Sequence, residues 1–279
     1  MTHVVWVHGI GDHKAGYSDP WRMAFDRYMK LPIDSYVEVL WETVTDDPAG
    51  TRSTRTRSAP SPRELDDERA VREELRAIII ARESASRSAA TAATRAGGDT
   101  RAADAGVVAW PATSRGIGDW VHLADEYLGD FVKYLVSRPI RTRVKERFKE
   151  RLLPLISDNP RISVVAHSWG TVVAYDSLID LVAESPDLDV VSLITLGSPL
   201  WMVRRFLEDR SGVKPQNVGT WVNIHARLDV VGSWLNPAYK VDREFEVPNL
   251  GHPPHGSYFW NDNEAVQKDL VAPCVLGRA

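Results

Sequence analysis

Arg161-Ile-Ser-Val-Val-Ala-His-Ser-Trp-Gly170, followed at once by Thr-Val-Val-Ala-Tyr-Asp-Ser-Leu178, is the stretch on which the reading of this chain turns. An apolar, β-branched run stops at a serine flanked by small residues, and a helical pattern begins immediately behind it. A strand that delivers a serine to a tight turn, with a helix leaving directly, reads as a nucleophile elbow with Ser168 at its apex. Such a turn drives the serine backbone toward φ > 0 and presses strand and helix together. Ala166 and Gly170, two residues to either side, are small enough to permit it.

Working outward, Val4-Val-Trp-Val7 is a buried-strand pattern ending at His8-Gly-Ile-Gly-Asp-His13. Together these two stretches make the chain resemble the α/β-hydrolase superfamily, in particular its lipase- and esterase-like branch, with Ala166 in place of the first Gly of Gly-x-Ser-x-Gly. The resemblance implies an α/β-hydrolase fold: a mostly parallel sheet flanked by helices, its N-terminus trimmed of the family's first antiparallel strands. It also implies an oxyanion hole made by the amides of Ile10 (or Gly11) and Trp169. One such donor is worth about 3 kcal/mol of transition-state stabilisation.

The rest of the chain alternates strand and helix patterns, as a parallel sheet with helices on both faces requires. Residues 21–30 read as a helix and 36–41 as an edge strand. Residues 119–136 and 138–156 form a helical stretch interrupted at Pro139, with the pairs Lys145/Lys149 and Glu146/Glu150 expected on a solvated face. After the elbow helix (170 to about 183), strands are expected at 190–196, 221–229 and 241–247, and a closing helix at 264–271. Residues 46–117 stand apart as an inserted cap or lid between core segments 1–45 and 118–279. Within the insertion, 63–82 carries an apolar helical stripe (Leu65, Val71, Leu75, Ile78, Ile79), and 84–106 is low-complexity Ala/Ser/Thr/Arg. Two readings of it stay open: a lid over the active site, or a packed surface excursion.

A serine nucleophile needs a base, and the base an orienting carboxylate. In the resembled family these follow in the order Ser, acid, His. That order implies Asp229, in Leu-Asp-Val-Val-Gly, as the acid, with Asp242, Glu244 and Glu246 as rivals. The family's closing signature, a His with Ser and Tyr two and three residues on, falls on His255-Gly-Ser-Tyr258; His252 is the competing base. Of the other histidines, His8, His13, His122 and His167 read as structural or loop-orienting, and His225, four residues before Asp229 within a strand, as a packed or surface residue. Gly11 and His13 near the oxyanion loop, with Trp201 and Trp234 beside the motifs, are candidate substrate contacts. Trp169, Trp201, Trp234 and Trp260 either wall a narrow acyl pocket or pack in the core.

Composition bounds the alternatives. A formal net charge of −4 without a sustained basic face argues against nucleic acid as a partner. The single cysteine, Cys274, allows no internal disulfide and suits a reducing cytoplasm. No apolar run approaches the roughly 20 residues of a membrane span, and no signal peptide is visible. No metal-ligand spacing or dinucleotide fingerprint occurs, so no metal and no cofactor is expected. The expected function is a cytoplasmic serine esterase or lipase acting on a small-molecule or lipid ester. The alternatives are an acyltransferase or thioesterase on the same triad, or a non-catalytic binding protein of that fold.

Overall fold

The computed structural model describes residues 2–9, 13–41, 61–95, 119–158, 161–248, 254–259 and 263–278, with backbone alone at 83, 86–95, 119–127 and 157–158. In chain order the main elements are β1 (Thr2–Val7), α1 (Asp19–Met29), β2 (Tyr36–Val39), α2 (Pro62–Arg95), α3 (Asp119–Val136) and α4 (Arg138–Leu152). They continue with β3 (Arg161–His167), α5 (Gly170–Glu184), β4 (Val190–Leu196), α6 (Leu200–Val203), β5 (Val218–Ala226) and β6 (Arg243–Val247). A 3₁₀ segment (Pro254–Phe259), a π-helical segment (Ala265–Val271) and α7 (Ala272–Val275) follow.

The six strands form one sheet in the order β2-β1-β3-β4-β5-β6, and every neighbouring pair is parallel. Strand periodicity explains how this sheet acquires two covered faces. Val5, Val7, Val164 and Ala166 point into one apolar cluster; Val4, Trp6 and Val165 point into the other. The first face is roofed by α2, α3, α4 and α5 through residues such as Leu75, Phe131, Phe148 and Val173. The second is covered by α1 and the C-terminal helical segments through Trp21, Phe25, Val266 and Val271. Each fully buried Val, Leu or Phe contributes about 2 kcal/mol relative to exposure. The uninterrupted apolar run Val164–Ala166 therefore belongs in mid-sheet, where both faces are dry.

Several segments differ from the sequence expectation in informative ways. The helix expected at 63–82 runs on to Arg95 as α2, because Ala and Arg are strong helix formers and nothing in that stretch breaks the helix. Its stripe is narrower than expected: Leu75 and Ile79 are buried in the first cluster, whereas Leu65 is exposed. The other parts of the expected cap or lid, 46–60 and 96–117, lie outside the described residues. Strand β5 begins three residues early and ends at Ala226, where Leu228 at φ 67° turns the chain. Asp229 therefore stands on a loop beyond the strand.

The expectation of a solvated face at Lys145 and Lys149 is overturned. Both are buried on α4. The Lys145 ammonium lies 3.1 Å from Asp176 and 2.9 Å from Asp180, one helical turn apart on α5, and Lys149 donates to Glu184 at 2.6 Å. A buried cation persists only when paired, and α5 supplies the partners. Glu146 and Glu150 are exposed, as a solvated face demands. Pro139 sits in the first turn of α4, where its missing N–H costs nothing, so the break expected there is a helix start.

Candidate active site

The sheet order reverses beside β1: β2 lies on one side of it and β3 on the other. Loops leaving the carboxyl ends of β1 and β3 diverge there, and a crevice at such a switch point is the general location of ligands in open parallel sheets. The elbow occupies this position. Ser168 has φ 54°, a left-handed conformation that costs a non-glycine residue about 1–2 kcal/mol. Packing on both sides holds it there. Its N–H donates to the Leu196 carbonyl at 2.9 Å, and the Thr171 hydroxyl donates to the Ser168 carbonyl at 2.7 Å. A Cβ on Gly170 would collide with the carbonyl oxygens of His8 and Val7, so only glycine lets α5 start against the end of β1. Ala166, by contrast, is accommodated in the core with its methyl.

Ser168 Oγ lies 2.7 Å from His255 Nε2, and His255 Nδ1 lies 3.0 Å from each carboxylate oxygen of Asp229. All three side chains are at least nine-tenths buried. Asp229 is held by its own loop, where Oδ1 accepts from the N–H groups of Val231 and Gly232, both at 2.9 Å. The Tyr258 hydroxyl donates to Oδ2 at 2.7 Å and accepts from the Ala226 N–H at 2.8 Å. Burial by itself would raise the Asp229 pKa. His255, the Gly232 amide and Tyr258 together outweigh burial and keep the carboxyl well below the usual carboxylate range. An ionised Asp229 can only accept, so in the neutral imidazole the Nδ1 proton faces it. The Nε2 lone pair is then aimed at the Ser168 hydroxyl. This arrangement can take a proton from Ser168 and hold the resulting imidazolium.

Gly9, two residues past the end of β1, lies directly against the serine. A Cβ built on Gly9 would come within 2.6 Å of Ser168 Cβ and 3.2 Å of its Oγ, so a side chain here would displace the hydroxyl. Ile10 and Gly11, the expected oxyanion and substrate contacts, lie outside the described residues. Trp169 caps the N-terminus of α5 immediately after Ser168, and its ring packs on Phe131 at 3.9 Å between centroids. Trp169 thus contributes its ring to the core. Trp201 donates its indole N–H to the Val231 carbonyl at 2.7 Å, on the loop that carries Asp229. Trp234 is half exposed and stands edge-on to His225. Trp260 lies outside the described residues.

The rival assignments go elsewhere. Asp242 accepts from the Trp221 amide and pairs with Lys214; Glu246 pairs with Arg227; Glu244 takes the amides of Leu235 and Asn236. His252 lies outside the described residues, as does the His122 side chain. Buried His8 stacks in parallel with Trp41, and His13 rests against His8 and Tyr17. Cys274 is buried too, with burial pushing its thiol pKa up. No protein-family model matches the chain, and no curated protein matches it significantly. Among the described residues no cluster of three or more His, Cys, Asp or Glu is placed to hold a metal, and no helix is long and apolar enough to cross a membrane.

Tyr258 is the residue whose role the sequence did not disclose, although its place in the closing His-x-Ser-Tyr pattern was visible. Tyr258→Phe leaves the Ala226 N–H buried without its acceptor and removes a hydrogen bond to a carboxylate. A stability loss of about 2 kcal/mol is expected, read as a lowered urea midpoint with unchanged m-value.

His167 gives the site a pH dependence. Its Nε2–H donates to the His255 carbonyl at 2.8 Å. Burial, followed by the proximity of His255, pulls its pKa from 6.5 down to about 3. The unfolded chain binds a proton as pH falls through about 6.5 and the folded chain does not, so stability is full above that pH and is lost progressively below it. His8, held neutral by burial and by His13, acts in the same direction. Thermal melts from pH 8 to 4 should show a falling Tm below about 6.5, with a shallower slope in His167→Gln, which retains the donor to His255.

Proposed function

We propose that this chain is a serine hydrolase of the α/β-hydrolase type that cleaves carboxylic esters through an acyl-enzyme. The observation that carries the reading is the unbroken chain Ser168–His255–Asp229, hydrogen-bonded at 2.7 and 3.0 Å, with Ser168 at φ 54° on a strand–turn–helix elbow. Two features support it independently. The elbow lies at the switch point of an all-parallel sheet, and Gly9 brings the preceding loop within contact of the nucleophile without a side chain in the way. Fold by itself carries no chemistry; the side-chain geometry does.

In this mechanism the Ser168 hydroxyl adds to the ester carbonyl as its proton passes to His255 Nε2. Asp229 fixes the imidazole and stabilises its charged form. The Trp169 amide and the loop after Gly9 receive the oxyanion. Collapse of the tetrahedral adduct breaks the carbonyl–alkoxy bond, and the proton on Nε2 leaves with the alcohol. Water, deprotonated by the same imidazole, then releases the acid and regenerates Ser168.

The decisive test combines turnover of p-nitrophenyl esters from acetate to palmitate with intact-mass analysis after treatment with a fluorophosphonate. Turnover, together with a single adduct mapped to the peptide containing Ser168, is expected. No turnover at any acyl length and no adduct would overturn the proposal. Diversion of the acyl group to an added alcohol at water's expense would replace hydrolysis by transfer.

A further inference from the structure

Arg82 is an unusual residue for its position. It lies on the inserted helix α2, yet its guanidinium stands 4.6 Å from the centre of the Trp201 ring and its Nη2 donates, at a long 3.4 Å, to the Gly232 carbonyl. Trp201 follows β4, and Gly232 belongs to the loop after β5 whose amide binds Asp229. Arg82 therefore bridges α6 and the loop that carries Asp229. Burial pushes its pKa down, opposed only by Asp229, which is already committed to His255, Tyr258 and two amides. Among the described residues no carboxylate forms an ion pair with it.

A half-buried guanidinium has five N–H donors in a planar fork. Here one of them makes a long hydrogen bond, and the guanidinium carbon lies over the Trp201 ring. Desolvating such a group without a partner anion is costly, and a planar guanidinium fork beside the proposed ester-cleaving centre can receive a carboxylate in two-point geometry. We propose that Arg82 is a specificity-determining residue: the substrate is an ester bearing a second, ionised carboxyl group, which the Arg82 guanidinium receives. The proposal rests on the ester-hydrolase reading for its chemistry and makes α2 part of the substrate site. A purely structural role, stapling α2 to Trp201, would alter stability but not the choice between charged and neutral esters.

Two matched pairs of esters test it on either side of the scissile bond: p-nitrophenyl hemiglutarate against p-nitrophenyl valerate, and p-carboxyphenyl acetate against phenyl acetate. The wild type should prefer the charged member of at least one pair. In Arg82→Met the charged-to-neutral ratio of kcat/KM should fall about 10- to 100-fold, mainly through KM, the range expected for losing a charged hydrogen-bonded contact. Arg82→Lys should retain part of the preference. Equal kcat/KM for both members of both pairs, or a preference that survives in Arg82→Met, overturns the inference while leaving ester hydrolysis intact. If no ester turns over, calorimetric titration with p-nitrophenyl hemiglutarate and with p-carboxyphenyl acetate decides. Binding of either that disappears in Arg82→Met sustains the anion site without the hydrolase; no binding of either ends both.

Discussion

Ser168→Ala is expected to lower kcat for p-nitrophenyl ester hydrolysis by about 10⁶-fold, the loss typical when the nucleophile of a serine triad is removed. The residual rate should sit above that of water by the contribution of substrate binding and oxyanion donors alone. The fold should survive, because the Ser168 backbone is held by the Leu196 carbonyl and Thr171 rather than by its own hydroxyl. A companion variant separates chemistry from strain. Ser168 sits at φ 54°, where a Cβ costs about 1–2 kcal/mol that glycine does not incur. Ser168→Gly should therefore be as inactive as Ser168→Ala yet melt a few degrees higher. Equal activity of wild type and Ser168→Ala would remove the serine from the mechanism. A lower Tm for Ser168→Gly than for Ser168→Ala would mean that the left-handed turn is not strained.

Asp229→Asn should cost about 10⁴-fold in kcat, the loss seen when an amide replaces the acid of a comparable triad. The reason lies in donors and acceptors. The Asp229 carboxylate is surrounded by donors: His255 Nδ1–H, the Tyr258 hydroxyl, and the amides of Val231 and Gly232. An asparagine NH₂ must face one of these sets. Facing the imidazole, it forces the proton onto Nε2, where it can no longer accept from Ser168. Facing the loop amides, it leaves two donors without acceptors. Stability should fall as well, by about 1–3 kcal/mol for each buried group left unpaired. A variant that keeps both wild-type kcat and wild-type Tm would show that Asp229 does not orient His255.

Much of this architecture was legible along the chain because its signals are local. The β-branched run of β3 and the small residues around Ser168 dictate a strand, a turn and a helix through backbone sterics acting within a few residues. The breaks at Pro139 and the strand of Val190–Leu196 follow from equally short-range rules. Long-range pairing is a different matter. Lys145 and Lys149 look solvated in isolation, since their exposed neighbours Glu146 and Glu150 carry the same helix-surface pattern. Only the docking of α5, with Asp176, Asp180 and Glu184 in register, makes their burial possible.

The candidate site divides along the same line. Ser168, Asp229 and His255 could be nominated from local motifs and their order, but nothing local says that residues so far apart in the chain meet within hydrogen-bond distance. The parallel sheet decides that, by setting the carboxyl ends of β3 and β5 at the same end of the sheet with only β4 between them. The contributions of Tyr258, Gly9 and Arg82 are tertiary throughout. A tyrosine hydroxyl beneath a carboxylate, a missing side chain above a serine, and a guanidinium from α2 leave no mark in composition or periodicity. By itself the sequence determined which segments are strands and helices and where the tight turn at Ser168 lies, because those depend on sterics and burial pattern over a few residues. Which side chains converge and which charges are paired depended on contacts between distant segments, and these exist only once the sheet has brought its strands together.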